Sequence, residues 1–149
     1  MKHRKTILLL LVCFGGAAWY FLSVKSPSIP GSARTVTISL REPYSDELIV
    51  EKTLSDRNAI QTMARIFSRA RSCRDHKCAS IGTISFIAEA GTISLEVLPG
   101  HNADKYEFRV DGGIYQLPRE SYIHSLVSAG IDRDDIRLDE HPEIEQVAP

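Results

Sequence analysis

Two cysteines and a histidine lie close together in the segment RSCRDHKCAS, which contains Cys73, His76 and Cys78. Thiols and imidazoles serve as nucleophiles, redox groups and metal ligands, so this segment is the first candidate for chemistry. In an oxidising compartment, two cysteines this close in sequence predict a disulfide between Cys73 and Cys78. The alternatives are two unbonded thiols, or a metal site that adds His76 and a distant His101. Because the chain lacks the second, well-spaced ligand pair of a zinc site, we expect no metal.

Basic side chains surround these cysteines. Residues 57–77 contain six basic residues and one acidic residue, which gives a net charge of +5. Clustered positive charge attracts lipid head groups, acidic polymers or acidic proteins. We therefore predict a surface that binds an anion or an anionic partner, and a plain solvated face is the alternative. This basic surface consists of Arg65, Arg69, Arg71, Arg74 and Lys77.

No other residues form a recognisable catalytic set. His124 lies between Ser121 and Ser125 on a predicted helix, but no acidic residue is placed to orient its imidazole. The sequence has no glycine-rich phosphate loop, no Gly-x-Ser-x-Gly and no His-Glu-x-x-His motif. We therefore expect a protein that is not an enzyme and has no cofactor. His101 and Asn102 follow a Pro-Gly pair in a predicted turn, and they are candidates for contact with a partner.

The amino-terminal residues predict where these surfaces lie. Residues 1–6 form a basic leader, and residues 7–24 form an uncharged apolar run. As a helix of about 27 Å, this run matches the roughly 30 Å apolar core of a bilayer and predicts a single-pass signal anchor in the cytoplasmic membrane. The basic flank stays in the cytoplasm, so the rest of the chain is exported to the periplasm or the cell exterior. A signal peptide cleaved near Gly15–Ala18 is the alternative, and it leads to the same compartment.

The elements that would position the candidate residues are strands grouped in hairpins. After a linker over residues 25–33, alternation and turn residues predict six strands, at 35–40, 47–54, 81–88, 92–98, 106–110 and 114–117. Amphipathic helices are predicted at 56–70, after the second strand, and at 118–130, after the last. The order β-β-α-β-β-β-β-α implies an antiparallel sheet covered by helices, which is an α+β fold in residues 34–130.

Particular residues define the predicted helix faces and turns. The apolar face of the first helix consists of Ile60, Met63, Ala64 and Phe67, and that of the second consists of Tyr122, Ile123, Leu126 and Val127. Ser55 or Asp56 is suited to cap the first helix, and Asp111-Gly112-Gly113 to form a tight hairpin turn. Pro99–Asn102 is also predicted to be a turn.

Length and charge exclude several classes of protein. The 149 residues admit one domain of about 100 residues with short appendages. Residues 25–149 carry 15 basic and 19 acidic residues, a net charge of −4, which argues against nucleic-acid binding. Residues 131–149 contain seven acidic and two basic residues, and they are predicted to form a flexible acidic tail.

Several segments combine turn and packing residues. They are GTISF at 82–86, LPGHN at 98–102, YEFRVDGGIYQLPRE at 106–120, AGID at 129–132 and HPE at 141–143. In these segments the chain resembles small uncharacterised bacterial single-pass envelope proteins with an exported β-rich domain. The resemblance covers residues 34–143, and it implies the fold and the compartment without adding an activity or a site residue.

Two functions of different classes agree with these observations. The first is a membrane-tethered, non-catalytic binding module of the bacterial cell envelope, whose partner is an envelope protein or an anionic polymer bound by residues 57–77. The second is a small inhibitor or immunity protein that blocks an envelope-directed hydrolase or toxin through an exposed loop such as residues 99–104. The residues alone leave both open.

Overall fold

The computed structural model describes most of the chain after residue 25. The described residues are 26–42, 47–74, 77–102 and 104–136, and for residues 100–102 the description covers the backbone only. The predictions for the basic leader, the membrane anchor, His76 and residues 137–149 of the tail lie outside these residues. Within the described residues, no helix has the length and apolarity needed to cross a membrane.

The described residues form seven strands and two helices, and most of the strands follow one another directly along the chain. The strands are β1 (Thr35–Arg41), β2 (Leu48–Leu54), β3 (Arg71–Ser72), β4 (Gly82–Ala88), β5 (Gly91–Asn102), β6 (Lys105–Val110) and β7 (Gly113–Pro118). The helices are α1 (Arg57–Phe67) and α2 (Arg119–Ser128), and a 3-10 turn follows at Arg133–Asp135. The strands form one antiparallel sheet in the spatial order β2-β1-β4-β5-β6-β7-β3. The predicted α+β class and antiparallel sheet are therefore confirmed.

The predicted number of strands is wrong by one. The structure has seven strands, and the additional strand β3 pairs Arg71 with Gln116 and Ser72 with Tyr115. A two-residue strand is too short to show the period-two alternation from which a strand is predicted. It forms here because the chain leaving α1 reaches the open edge of β7.

Alternation separates the two faces of the sheet as predicted. Ile38 of β1 lies opposite Ile84 of β4, which lies opposite Leu95 of β5, and all three are buried beneath the helices. On the other side, which we call the outer face, Ser85 and Ser94 share a hydrogen bond of 2.8 Å between their hydroxyls. The helices therefore cover one face only.

Helix α1 begins and packs as its sequence predicts. Asp56 is the N-cap, and its side chain accepts a hydrogen bond from the backbone N–H of Ala59 at 2.7 Å. The Phe67 ring meets those of Phe86, Phe108 and Tyr122 edge to face, at centroid distances of 6.2, 5.3 and 6.0 Å. Phe67 thus connects α1 to the sheet and to α2.

The predicted apolar face of α2 is wrong at one position. Val127 is 43% exposed, and Ser125 is buried in its place. The buried side is centred on Tyr122 and Leu126, and Val127 lies about 140° from Tyr122 around the helix axis. Ser125 tolerates burial because its hydroxyl donates a hydrogen bond of 2.6 Å to the carbonyl of Tyr122.

The predicted turn at Pro99–Asn102 is instead part of β5. The pairing of β5 with β6 shifts register between Leu98 and Asn102, so the extra residues form an irregularity within the strand. Proline has no N–H to donate, and such bulges are among the places where a sheet accepts it. The chain reverses after Asn102, which lies opposite Lys105.

The core extends beyond the predicted domain at both ends. Ile29 and Ala33 of the predicted linker are buried in the main core, as are Ile131 and Ile136 of the predicted tail. Gly130 has a positive φ of 74° just after α2, which lets the chain turn back so that Ile131 reaches the core. The packed domain therefore includes residues from 29 to 136.

The chain between β3 and β4 connects strands that are not neighbours in the sheet. β3 lies at one edge, whereas β4 lies between β1 and β5, and we call residues 73–81 the crossing segment. Its first residue lies on the outer face, because the Cys73 thiol contacts Glu107 there, and near its end Ser80 donates to the carbonyl of Val97 at 3.1 Å. Leu98, which the pairing places on the same face as Glu107, is buried there.

Candidate anion-binding site

Two residues of the basic surface are held at one corner of the sheet by a tight turn. After α1, the N–H of Arg69 bonds to the carbonyl of Ile66 at 3.0 Å, and the N–H of Ala70 bonds to that of Phe67 at 3.1 Å. The chain then enters β3, where Arg71 lies opposite Gln116. Arg69 and Arg71 are therefore positioned by backbone hydrogen bonds on both sides of Ala70.

A cleft of about 470 Å³ opens at this corner, between the end of α1, β3 and the junction of β7 with α2. We call it the corner cleft. In the described chain, β3 pairs with only two residues of β7, so Leu117 and Pro118 extend past it. The lining residues are Ile66, Arg69, Arg71, Lys105, Gln116, Leu117, Pro118 and Ser121.

The corner cleft carries three cationic side chains, those of Arg69, Arg71 and Lys105. None of the three forms an ion pair or a side-chain hydrogen bond with another described residue. No aspartate or glutamate is among the described residues that line the cleft. Several arginines elsewhere do have carboxylate partners, namely in the pairs Arg34–Glu89 at 2.9 Å, Arg109–Glu96 at 2.8 Å and Arg133–Glu120 at 3.4 Å. The three cations of the cleft thus have no carboxylate ion-pair partner among the described residues.

The amino end of α2 adds to this positive potential. Pro118 occupies the N-cap position, and no side chain caps the first turn. The N–H of Arg119 donates to the carbonyl of Asp104 at 2.8 Å. The remaining N–H groups of a first helical turn carry a partial positive charge, and Pro118 and Ser121 bring this turn to the cleft wall.

The structure divides the predicted basic surface. Arg69 and Arg71 line the corner cleft, whereas Arg65, Arg74 and Lys77 are exposed outside it. Arg65 lies on α1, one turn before Arg69. Arg74 and Lys77 lie on the crossing segment, on either side of the residues that the structure does not describe.

Three lining residues, Lys105, Gln116 and Ser121, are not part of the predicted basic surface. Lys105 reaches the cleft because it lies opposite Pro118 in the pairing of β6 with β7, and Gln116 because it lies opposite Arg71. Only the strand register brings these residues together. The sequence does predict the tight turn at Asp111-Gly112-Gly113, which joins β6 to β7. That turn is the one sequence feature that indicates the pairing of Lys105 with Pro118.

Cys73 and Cys78 are both thiols in the structure, so the predicted disulfide is not formed in it. The Cys73 thiol instead donates a hydrogen bond to Glu107 Oε1 at 3.9 Å. Burial raises the pKa of this thiol, the Glu107 carboxylate raises it further, and Lys105 acts in the opposite direction. A thiol with a raised pKa is protonated at neutral pH and is a poor nucleophile and metal ligand. No group of three or more potential metal ligands occurs among the described residues.

The remaining candidates do not form a site in the structure. His124 is exposed, whereas Ser125 is buried on the core side of α2, and Ser121 lines the corner cleft. For His101 and Asn102 the structure gives a strand backbone, and their side chains lie outside the described part.

The chain matches no protein-family model, and no curated protein or solved structure is significantly similar to it. Its function is therefore inferred from the geometry and the charge of the chain.

Proposed function

We propose that the protein is a membrane-tethered, non-catalytic binding module of the bacterial cell envelope, and that it binds an anionic partner through the basic surface and Lys105. One observation carries this proposal. Arg69, Arg71 and Lys105 line one concave site, and none of them forms an ion pair with a carboxylate of the described chain. A concave surface lined by charge of one sign focuses the electric field and raises the local concentration of a ligand of opposite charge.

The chemistry of the lining residues supports binding rather than catalysis. Guanidinium, ammonium and amide groups donate hydrogen bonds and hold an anion in place. Among the described lining residues, the Ser121 hydroxyl and the Lys105 amine are the groups with nucleophilic potential, and no histidine or carboxylate lines the cleft to activate either of them. The nearby Cys73 thiol has a raised pKa.

The proposed tether would hold this site close to the membrane. If residues 7–24 span the cytoplasmic membrane with the amino terminus inside, the domain lies in the periplasm or outside the cell. Pro27 and Ile29 are already buried in the domain, so fewer than four residues separate the apolar run from its packed part. Fewer than four extended residues reach less than roughly 14 Å, which would place the domain next to the membrane surface. Partners at that surface are therefore favoured.

The test compares two triple charge reversals in the full chain, purified in an uncharged detergent. The first changes Arg69, Arg71 and Arg74 to Glu. The matched control changes Arg34, Arg41 and Arg57 to Glu, which alters the net charge equally at exposed positions that do not line the corner cleft. Binding of fluorescently labelled polyglutamate and polyphosphate is measured by anisotropy at physiological salt.

We expect the first variant to lose at least tenfold in affinity, on the order of 1.4 kcal/mol or more, and the control to lose much less. Equal losses in both variants would mean that only net charge matters, and unchanged binding in both would remove the basic surface from the function. The inhibitor or immunity function stays a prediction, since no described contact favours it.

A further inference from the structure

We propose that the corner cleft is a binding site for a phosphate ester, with Arg69, Arg71 and Lys105 around the phosphate and the organic part of the ligand against the apolar wall. This inference rests on the proposed function, because it names the ligand of the same basic region. It goes further because it assigns the ligand to one cleft with named lining residues rather than to the basic surface as a whole.

The number and type of the cations favour phosphate over carboxylate. Three positive side chains exceed the single charge of a carboxylate, whereas a phosphate monoester carries about −1.5 to −2 at neutral pH and offers three acceptor oxygens. The planar fork of arginine matches two phosphate oxygens at once, and lysine adds a compact charge. Two arginines with one lysine are therefore well suited to a tetrahedral dianion.

The strand register holds these groups on a rigid frame. Arg71 lies opposite Gln116, and Lys105 lies opposite Pro118, on three neighbouring strands. Because side chains alternate along a strand, Arg71, Gln116 and Lys105 project from the same face of the sheet. A site built on paired strands keeps its geometry better than one on a loop.

The first turn of α2 completes the polar part of the cleft. Its N–H groups have no side-chain cap, and the hydroxyl of Ser121 lines the same wall. The acidic residue of this turn, Glu120, contacts Arg133 at 3.4 Å and is not among the lining residues. The helix end thus adds donors to the three cations.

The size and the apolar wall of the cleft indicate that the ligand is larger than inorganic phosphate. The volume of about 470 Å³ lies within the range of small-molecule sites and exceeds what one phosphate group occupies. Ile66, Leu117 and Pro118 form an apolar side next to the cations. A soluble phosphate ester and a phospholipid head group share this chemistry.

The test uses thermal unfolding of the full chain in an uncharged detergent, titrated with phenyl phosphate, inorganic phosphate or benzoate at matched ionic strength. A ligand that binds the folded state raises Tm in a saturable way. We expect phenyl phosphate to bind more tightly than inorganic phosphate, which lacks the apolar part, and than benzoate, which has one charge. Equal effects of benzoate and phenyl phosphate, or no saturable effect, would overturn the inference.

Single substitutions distinguish binding in the corner cleft from binding spread over the whole basic surface. We expect Arg71→Gln and Lys105→Gln each to weaken phenyl phosphate binding about tenfold, as loss of a charge-assisted hydrogen bond does. Arg57→Gln, at the other end of α1, should change it less than about twofold. Unliganded Tm and circular dichroism show whether each variant is folded. If Arg65→Gln and Arg71→Gln weaken binding equally, binding does not depend on the cleft. That result would overturn the assignment of the ligand to the cleft, but it would agree with the proposed function.

The source of the phosphate ester is resolved by a second pair of ligands. Glycerol 3-phosphate represents a soluble ester, and dihexanoyl phosphatidic acid represents a lipid head group. Tighter binding of either supports the site and identifies the source. If polyphosphate binds but no monoester does, the cleft inference fails alone; if neither binds, both proposals fail.

Discussion

Arg71 lies directly opposite Gln116, where the two residues of β3 pair with β7 at the edge of the sheet. This pairing continues one residue further, because the N–H of Cys73 donates to the carbonyl of Ile114 at 2.9 Å. The position of Arg71 therefore depends on a very short ladder, and this short ladder is also what leaves the corner cleft open.

Removing one hydrogen bond of this ladder should weaken the site. Proline at position 73 has no N–H, so Cys73→Pro loses the bond to Ile114 and releases β3 from β7. We expect phenyl phosphate binding to fall severalfold and stability to fall by about 1–3 kcal/mol. Cys73→Ala is the control, since it removes the thiol and keeps the N–H. Similar binding by the two variants would show that β3 does not position Arg71.

The Cys73 thiol gives a pH-dependent test of its surroundings. The carboxylate of Glu107 raises the pKa of this thiol and Lys105 lowers it. Glu107→Gln should therefore lower the pKa, increase the thiolate fraction below that pKa and speed alkylation by iodoacetamide. Lys105→Gln should raise the pKa and slow the reaction. Peptide mass spectrometry follows Cys73 separately from the other cysteines, and Glu51→Gln is the control.

Opposite changes in rate in these two variants are the expected signature, and changes in the same direction would contradict the arrangement. Bound phenyl phosphate should act like Lys105→Gln, because an anion next to the ammonium group reduces its effect on the thiol. Faster alkylation in the presence of the ligand would place the anion elsewhere.

The corrected face of α2 is tested by two neighbouring residues. Leu126 is fully buried, and Leu126→Ala should cost about 2–5 kcal/mol of the free energy of unfolding. Val127 is largely exposed, so Val127→Ala should cost less than about 0.5 kcal/mol. Chemical denaturation measures both. A large loss of unfolding free energy in Val127→Ala would mean that Val127 is buried, as the sequence predicts.

Alternation and capping residues made much of this fold predictable. The six longer strands, both helices and a helix cap at Ser55 or Asp56 follow from local patterns, because each involves residues close in sequence. By contrast, β3 is too short to have a period, and Pro99 falls on a bulge that local turn preferences do not distinguish from a turn. In α2, whether Ser125 or Val127 is buried depends on how the helix packs against the rest of the domain.

The candidate site was only partly predictable for the same reason. Arg69 and Arg71 belong to a cluster of basic residues that is apparent in the sequence. The sequence cluster does not predict that the two side chains line a concave surface. Lys105 is 34 residues from Arg71 in sequence. The pairing β6-β7-β3 brings the two together, and that pairing depends on where the chain goes after α1.

The proposed membrane tether has a direct test of its own. When this 149-residue chain is expressed in bacteria and extracted from their membranes, its mass should stay at 16.6 kDa if residues 7–24 remain as an anchor. Extraction should require detergent. A mass that lacks the first residues up to Ala18, with release into the soluble periplasmic fraction, would establish the cleaved alternative.

The most direct test of the central claim is hydrogen–deuterium exchange of the full chain with and without saturating phenyl phosphate. A ligand in the corner cleft protects the amides that form its walls, so we predict slower exchange in residues 69–72 and 116–122. The backbone amides at the amino end of α1 and those of β1 and β4 should exchange at the same rate with and without the ligand. Protection confined to other segments, or none at saturation, would contradict the assignment of this cleft as the anion site.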